Sequence, residues 1–217
     1  MRDEGERRYH DKHPFNLRMH AGELKKRDLQ RWVRNRFYYQ TRIPIKDALI
    51  LSKSDDPAFR RVWIHRIVDH DGERDGEGGL ELWLRLAEGV GLTRDDAKSV
   101  RRVLPAVRFA CDAYVELVRS RSLVEAVASS LTETFAPDIM QARIAAWERH
   151  YPWVSHECLE YFRARVPRSR RDGLEAVDWV CRHATSAELQ QRCVDAMIVK
   201  TEILWAMLDA IATVEDS

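Results

Sequence analysis

The chain has 217 residues, of which 45% are hydrophobic and 33% are charged, and its formal net charge is +1. These values are typical of one globular domain over residues 1–217 rather than of a disordered or fibrous chain. A net charge so close to zero does not indicate a nucleic-acid-binding protein. The apolar run Ile203 to Leu208 is too short to cross a bilayer. The N-terminus shows no secretory signal, so we expect a cytoplasmic protein.

Helical periodicity dominates the chain, and no segment alternates in the manner of a strand. The helices predicted in the first half lie between Pro14 and Gly22, from Asp28 to Phe37, from Ile45 to Leu51, from Asp56-Pro57 onward, and from Leu80 to Val90. Pro44 is expected to bend or interrupt the second of these. The glycine-rich, charged segment from Asp69 to Gly79 predicts a loop, because burial could offset little of its ordering entropy.

The second half of the chain continues this helical pattern. Thr93 and Asp96 have the spacing of a capping box, and Pro105 is expected to open a helix. Further helices are predicted at about residues 122–134, 138–149, 156–165, 172–183 and 187–213. The basic run from Arg163 to Arg171, around Pro167, is expected to be a solvated helix end and loop. The sequence therefore predicts an all-α, compact single-domain bundle of about eight to ten helices.

Three predicted helices carry polar residues three or four positions apart, beside the apolar stripe. These sets are Arg36 with Tyr39 and Gln40, Arg66 with His70, and Tyr161 with Arg165. The spacing puts each set on one helix face, so that all could point into a common cavity. Glu133 and Lys200 lie in mainly apolar helical runs and need partners if they are buried. Each residue taken singly is more often structural or on the surface, and only the collective pattern suggests a site.

The charges of these candidates favour a small anionic ligand. Together with Lys46, they provide five cations, namely Arg36, Lys46, Arg66, Arg165 and Lys200. Tyr9, Tyr39, Tyr114 and Tyr161 add phenols that can donate hydrogen bonds to oxyanions. A pocket with this lining suits a compact ligand that carries several carboxylates.

Segments spread over nearly the whole chain resemble those of one known family. They include Arg36-Phe37-Tyr38-Tyr39-Gln40, Asp69-His70-Asp71-Gly72, Leu104-Pro105, Val107-Arg108-Phe109, Ser129-Ser130-Leu131-Thr132-Glu133, His150-Tyr151-Pro152-Trp153, Tyr161-Phe162 with Arg165, and Lys200 with Leu204-Trp205. In this order they resemble the pyrroloquinoline quinone synthase family. The resemblance implies a haem-oxygenase-like helical fold, a homodimer, and no metal or organic cofactor.

The resemblance also implies an activity and a set of site residues. It implies an oxidoreductase acting on CH–CH groups, which closes and oxidises a polycarboxylate quinone precursor with molecular oxygen and releases hydrogen peroxide. His70, Tyr161 and Arg165 would stand closest to proton transfer and oxygen chemistry, with His10 as a further proton-carrying group. The residues implied as substrate contacts are Tyr9, Arg36, Tyr39, Gln40, Lys46, Arg66, Tyr114, Glu133 and Lys200.

One position departs from the family pattern. Some members place a histidine beside the oxygen-reacting residues, where this chain has Met140. A thioether cannot carry a proton, so protonation of peroxide would have to run through Tyr161, His10 or water. A neutral imidazole such as His70 remains the natural base for a carbon acid near neutral pH.

Three alternatives remain open from the sequence. A di-iron oxygenase on the same fold could use the hard-ligand types in Asp69, His70, Asp71, Glu133 and His10. The neighbouring arginines and Lys200 oppose a dication there. A thiamin-degrading relative would need a cationic substrate, which fits five basic residues poorly. A carrier that binds the quinone without making it is the non-enzymatic alternative.

Overall fold

The computed structural model describes residues 1–213, and within them the chain forms twelve α-helices and no β-strand. The helices are α1 (Arg2–Arg8), α2 (Pro14–His20), α3 (Lys26–Leu51), α4 (Pro57–Trp63), α5 (His65–Asp71), α6 (Gly78–Gly89), α7 (Arg94–Lys98), α8 (Pro105–Ser120), α9 (Leu123–Ser129), α10 (Ala136–His150), α11 (Glu160–His183) and α12 (Ala187–Ala212). Short 3-10 segments cover His10–Lys12, Val100–Arg102, Ser130–Phe135 and His156–Leu159. The prediction of an all-α fold is confirmed.

Helix α3 runs through Pro44 without a break, so the predicted interruption there is wrong. Pro44 lacks the N–H that would bond the carbonyl of Gln40, which removes one hydrogen bond from the helix. Trp32, Val33 and Ile50 are nevertheless fully buried along the helix. Packing of a buried face contributes most of a helix's stability in a protein, and here it outweighs the one lost bond.

Helix α11 also continues through a proline, where the sequence predicted two helices and a solvated loop. Pro167 and the basic run lie inside this single helix, which packs against α10 and the 3-10 segment Ser130–Phe135. The prediction of a solvated loop is wrong because Arg165, Ser169 and Asp172 lie on the buried face of α11. Gly173 allows this close packing, since a Cβ there would lie only 3.1 Å from Thr134.

The predicted loop from Asp69 to Gly79 is shorter in the structure, and its first residues are helical. Helix α5 extends to Asp71, and α6 already begins at Gly78. Gly72 ends α5 with a φ of 82°, a conformation that glycine adopts readily. The carboxylate of Asp69 can lie in a helix here because Arg168 and Arg171 of α11 pair with it at 3.2 and 2.6 Å. His70 is therefore held on a helix rather than on a loop.

Other predicted elements agree with the structure more closely. The capping box of Thr93 and Asp96 is present at the start of α7. The segment predicted at 122–134 divides into α9 and the 3-10 segment Ser130–Phe135, and α1 was not predicted. None of the helices formed by residues 1–213 is long and apolar enough to span a membrane.

An aromatic cluster forms the part of the core on which the candidate site rests. The ring of Trp32 lies 5.4 Å from that of Trp83 and 6.1 Å from that of Trp147, measured between centroids. The Tyr161 ring meets Trp83 edge-on at 4.6 Å. Such edge-to-face pairs contribute about 0.5–1.5 kcal/mol each beyond their buried area. The cluster holds α3, α6, α10 and α11 against one another, and it thereby fixes the positions of the site side chains that these helices carry.

Candidate active site

A buried cavity of about 60 Å³ lies among α3, α5, α10, α11, α12 and the N-terminal segment. Nine of the thirteen predicted site residues line it, namely Tyr9, His10, Arg36, Tyr39, Gln40, His70, Glu133, Tyr161 and Arg165. Lys46, Arg66, Tyr114 and Lys200 are buried directly behind this lining. A wider groove of about 840 Å³ shares Tyr9 with the cavity and is mainly apolar. The structure thus brings all the predicted residues to one place.

His70 is held in a single tautomer by the backbone of its own helix. Its Nδ1 lies 3.0 Å from the carbonyl oxygen of Arg66. A carbonyl oxygen can only accept, so Nδ1 carries the proton and Nε2 has an available lone pair. Burial, together with the charge of Arg165, lowers the pKa of His70 to about 3. The imidazole is therefore neutral at physiological pH and presents a base at Nε2.

Glu133 joins three of the predicted cations. Its carboxylate oxygens lie 3.2 Å from Arg165, 3.2 Å from Arg66 and 3.9 Å from Lys46. Burial acts to raise the pKa of Glu133, but these three charges outweigh it and hold the pKa well below its usual value. Glu133 is therefore ionised, and the cations around it are held in fixed positions.

Lys200 lies behind the lining of the cavity, against Tyr39 and Tyr114. Its Nζ donates a hydrogen bond of 2.8 Å to the hydroxyl of Tyr39 and lies 3.5 Å from the ring centroid of Tyr114. Burial, with the charges of Arg36 and Lys46, holds the pKa of Lys200 well below its usual value. An anion bound in the cavity would raise the pKa of Lys200 again, and this side of the cavity therefore favours anionic ligands.

Tyr161 and Arg165 follow each other by one turn of α11 and form a separate corner of the cavity. The Tyr161 hydroxyl donates to Oε1 of Gln40 at 2.8 Å, and burial raises the pKa of Tyr161, which keeps the phenol protonated. Met140 lines the same cavity, and its sulfur accepts a hydrogen bond of 3.9 Å from Arg143. This corner therefore has a phenol and a guanidinium available, but no proton carrier at position 140.

Several lining residues were not predicted from the sequence. Thr132 and Ser169 both line the cavity, and Asp172 lies behind Arg165 at 3.6 Å. Ser169 follows Arg165 by four residues, so it would have been found had α11 been predicted to continue through Pro167. Thr132 directly precedes Glu133, but no periodic signal marks it.

The residues that a di-iron centre would need as ligands do not come together in residues 1–213. Within residues 1–213, no three side chains of His, Cys, Asp or Glu form a group that could hold a metal ion. Asp69 pairs instead with Arg168 and Arg171. The ligand set which that alternative requires is therefore not assembled in the part of the chain that the structure describes.

Comparison with known proteins places the chain in a family. The sequence model of the TENA/THI-4/PQQC family matches residues 1–210. The chain belongs to this family. Its members include the pyrroloquinoline-quinone synthase of Acidiphilium cryptum strain JF-5, to which it is 50% identical over 211 residues, covering 97% of this chain and 86% of that protein. The enzyme of the same name from Pseudomonas aeruginosa strain LESB58 is 50% identical over 212 residues, covering 98% of this chain and 84% of that protein.

A longer relative in the family carries a second part. The bifunctional coenzyme PQQ synthesis protein C/D of Methylorubrum extorquens strain AM1 is 48% identical over 211 residues, which are 97% of this chain but only 57% of that protein. The chain thus spans little more than half the length of this bifunctional relative.

Solved structures agree on the fold. A domain of unknown function with a haem oxygenase-like fold from Shewanella denitrificans OS217 superposes with a TM-score of 0.79 at 14% identity, covering 96% of this chain and 87% of that one. A TenA homologue from Pseudomonas syringae pv. tomato strain DC3000 gives a TM-score of 0.78 at 14% identity, covering 97% and 88%. The predicted haem-oxygenase-like fold is therefore confirmed, and identities this low indicate the fold alone.

Proposed function

We propose that the chain is a cofactor-independent oxidase that closes and oxidises a polycarboxylate quinone precursor to pyrroloquinoline quinone, using molecular oxygen and releasing hydrogen peroxide. The observation that carries the proposal is the neutral His70 imidazole, with its unprotonated Nε2, in a cavity lined by cations. Relatives that are about half identical over nearly the whole chain bear the name pyrroloquinoline-quinone synthase.

The first step of this reaction is removal of a proton from carbon. Direct reduction of oxygen by an organic substrate requires an electron-rich anion, which deprotonation provides. His70 Nε2 takes the proton, and the electron pair of the broken C–H bond stays on the ring system. A positioned base contributes about 10²–10⁴-fold to a rate when its pKa lies near the working pH, and the negative charges of the bound precursor would raise the pKa of His70 toward that range. The hydrogen bond from Nδ1 to Arg66 keeps the ring oriented, and it strengthens when His70 becomes positively charged.

The anion formed in this step needs stabilisation from fixed donors. Arg36 lines the cavity, and its guanidinium carbon lies 4.2 Å from the ring centroid of Tyr39, so aromatic stacking holds it in place. Lys200 and Tyr39 act from the same wall through their 2.8 Å hydrogen bond. Preorganised donors in a site without bulk water stabilise developing negative charge strongly.

Oxygen would react in the corner formed by Tyr161 and Arg165. The guanidinium stabilises superoxide or peroxide by its charge, and the phenol supplies a hydrogen-bond donor when its O–H turns from Gln40 Oε1 toward the oxygen species. The two electrons and two protons removed from the substrate leave together as hydrogen peroxide. Because Met140 carries no proton, Tyr161 and the protonated His70 are the protein's own sources of protons near this corner.

The volume of the cavity indicates that substrate binding changes the site. Pockets for ligands of this size have about 300–1,000 Å³, whereas this cavity has about 60 Å³. Tyr9 forms part of the wall between the cavity and the wider apolar groove, with its ring 5.3 Å from Phe135. We propose that the site widens toward this groove when the precursor binds.

We further propose that the protein is a cytoplasmic homodimer, as the family resemblance implies. Phe109 on α8 is 80% exposed. Aromatic side chains are enriched in subunit interfaces relative to the rest of the protein surface. Sedimentation of the purified protein would measure its oligomeric state.

A single-turnover experiment tests the proposed function. The protein is mixed with the reduced precursor with and without oxygen, and the quinone absorbance is followed. Growth of the absorbance only with oxygen, accompanied by hydrogen peroxide, is the expected result. Tight binding without any spectral change would instead support the carrier. Stoichiometric iron in the active preparation would support the di-iron oxygenase.

A further inference from the structure

The second histidine of the cavity, His10, is held by a different kind of partner from that of His70. Its Nδ1 lies 3.0 Å from Nδ2 of Asn16, and the same Nδ2 lies 2.7 Å from the backbone oxygen of His10. Because a carbonyl oxygen only accepts, this Asn16 atom must be the amide nitrogen with its two hydrogens. One hydrogen goes to the backbone oxygen, and the other goes to His10 Nδ1.

Arg143 fixes the other end of the same amide. Its Nη2 donates a hydrogen bond of 3.2 Å to Oδ1 of Asn16, and a guanidinium has no acceptor. The amide therefore cannot be reversed without losing both contacts. Arg143 is itself held over the rings of Trp32 and Phe162, at 4.9 and 5.5 Å from their centroids. Asn16 is consequently a fixed donor toward His10.

The two histidines of the cavity are thus held in opposite forms. Burial and the charges of Arg36 and Arg143 hold the pKa of His10 well below its usual value, so the ring is neutral. A neutral imidazole that accepts at Nδ1 must carry its proton at Nε2. In His70 the proton is on Nδ1, and Nε2 is the acceptor.

We propose that Asn16 is a positioning residue that holds His10 in its Nε2–H tautomer, so that His10 donates a hydrogen bond to the oxyanion formed when His70 takes the proton. His10 stays neutral throughout and transfers no proton, since it only stabilises the charge that develops on the substrate oxygen. The assignment of this catalytic role rests on the proposed function, whereas the assignment of the tautomer does not.

Nitrogen-15 NMR of histidine tests the tautomer without any change in the Asn16 side chain. The protein is labelled at histidine, and long-range proton–nitrogen spectra distinguish the Nδ1–H from the Nε2–H form. His10→Gln and His70→Gln identify the two rings. We expect an Nε2–H pattern for His10 and an Nδ1–H pattern for His70. An Nδ1–H pattern for His10 in the unsubstituted protein would overturn the proposal.

Asn16→Asp then tests the role of Asn16. A carboxylate accepts from Nδ1 and should reverse the tautomer of His10. In single-turnover assays we expect quinone formation to slow by about 10- to 100-fold, which is somewhat less than the effect typical of a lost oxyanion donor. The affinity for pyrroloquinoline quinone should change much less than the rate.

Asn35→Asp is the matched control, because Asn35 is 1% exposed, as Asn16 is, and its amide is also hydrogen-bonded through both its nitrogen and its oxygen. Asn35 lies outside the cavity lining, so its variant should keep the tautomer of His10 and the turnover rate. A reversed tautomer with unchanged turnover in Asn16→Asp would overturn the catalytic role. An unchanged tautomer would overturn the positioning role. If the unsubstituted protein forms no quinone, the proposed function fails while the tautomer result stands.

A second, independent observation concerns Ser169. This residue is fully buried, lines the cavity, and its Oγ makes no hydrogen bond within residues 1–213. A buried helical serine usually bonds a carbonyl of its own helix, as Ser129 does with Ala126 at 2.7 Å. Ser169 follows Tyr161 and Arg165 at steps of four residues, so the three side chains share one face of α11.

We infer that Ser169 is a further ligand contact, whose hydroxyl donates a hydrogen bond to an oxyanion in the corner of Tyr161 and Arg165. The oxyanion is either a carboxylate of the bound quinone or a reduced form of oxygen. Both are strong acceptors for a hydroxyl donor that has no partner in the protein itself. This inference also rests on the proposed function.

Ser169→Ala distinguishes a ligand contact from a structural residue. We expect its thermal stability to be unchanged or higher, because no protein hydrogen bond is lost. Binding of pyrroloquinoline quinone without oxygen should weaken by about tenfold if the contact is a carboxylate, as for a hydrogen bond to a charged group. A raised KM for oxygen with unchanged quinone binding would instead identify reduced oxygen as the acceptor.

Ser129→Ala is the matched control, because Ser129 is equally buried but is hydrogen-bonded. It should lose stability and retain both quinone binding and oxygen dependence. Ser169→Ala with unchanged quinone affinity and unchanged KM for oxygen would overturn the inference.

Discussion

The hydroxyl of Tyr161 donates a 2.8 Å hydrogen bond to Oε1 of Gln40, which links helix α11 to helix α3 at the edge of the cavity. Both side chains are buried, and the Tyr161 ring is additionally held edge-on against Trp83. The bond orients a phenol that lies one helical turn from Arg165. A single hydrogen bond thus connects the stability of the fold with the geometry of the Tyr161–Arg165 corner, called the oxygen corner below because we propose that oxygen reacts there.

Tyr161→Phe should affect both properties. The substitution leaves the buried Gln40 oxygen without its donor, which costs about 1–3 kcal/mol in the free energy of unfolding. Turnover should slow because the corner loses its phenolic donor, while quinone binding falls only slightly. Urea denaturation and single-turnover absorbance measure the two effects.

Tyr38→Phe provides the matched control for this prediction. Its hydroxyl donates to Asp112 at 3.0 Å, away from the cavity, and the Asp112 side chain is 56% exposed. Water can replace the lost bond there, so we expect stability to change by less than about 0.5 kcal/mol. If Tyr38→Phe slowed turnover as much as Tyr161→Phe does, the special role of Tyr161 would be refuted.

His70→Ala should bind the substrate but turn over slowly. Loss of the base at Nε2 should reduce the rate of quinone formation by about 10²–10⁴-fold. Affinity for pyrroloquinoline quinone should remain close to that of the unsubstituted protein, because the cations of the cavity are retained. His65→Ala, on the exposed side of the same helix, should leave both quantities unchanged. Unchanged turnover in His70→Ala would exclude His70 as the base.

Stability should fall as the pH is lowered from 7 toward 4. Burial lowers the pKa of His70 to about 3 and that of His20 to about 4, and it lowers the pKa of His10 well below its usual value. Between an ordinary histidine pKa of about 6.5 and these values, the unfolded chain binds protons that the folded chain does not bind. The stability from these neutral histidines is therefore present above about pH 6.5 and is lost below it.

Three aspartates, Asp47, Asp71 and Asp172, act in the opposite direction, because burial raises their pKa values. Burial and the charge of Glu133 raise the pKa of Asp172 to about 6, so its contribution to stability is lost as the pH rises through that value. The pKa values of His70 and His20 fall to about 3 and 4, and that of His10 lies well below its usual value, so the net effect between pH 7 and 5 should follow the histidines. Urea denaturation at pH 7, 6 and 5 measures this dependence. His20→Gln should reduce its slope, and a stability that is flat or rises toward pH 5 would contradict the prediction.

Met140→His should restore a proton carrier to the oxygen corner. Because Tyr161 and His70 already supply protons, we expect a gain of about tenfold in the oxygen-dependent phase, less than the full effect of a positioned acid. Met140→Leu keeps an apolar side chain of similar volume and should leave the rate unchanged. Stopped-flow absorbance after addition of oxygen measures the phase. Equal rates in the two variants would show that proton supply at position 140 does not limit the reaction.

The sequence was informative where helical periodicity coincides with burial. The polar sets at Arg36, His70 and Tyr161 were found because residues four apart share a helix face. Their assignment to one cavity also held in the structure, since all thirteen predicted residues lie in or directly behind its lining. Their roles in catalysis remain predictions.

Local rules failed where tertiary packing outweighs them. Pro44 was expected to bend or interrupt a helix, and Pro167 to lie between two helices, but the buried faces of α3 and α11 continue past both. The second error concealed Ser169 and Asp172, which depend on α11 being continuous. Asn16 could not be found at all, because its role depends on contacts with His10 and Arg143, which come from two other elements.

The Glu133 carboxylate is a counter-ion, within the protein itself, for three cations of the site. Arg66, Arg165 and Lys46 would repel one another if they were buried without counter-ions. Glu133 lies close to all three, while Asp47 pairs with Lys46 at 2.8 Å and Asp172 lies 3.6 Å from Arg165. A polycarboxylate that binds these cations would therefore compete with Glu133 for them rather than meet unpaired positive charges. We expect this competition to favour ligands with several carboxylates, because a ligand with a single carboxylate offers the cations no more than Glu133 already does.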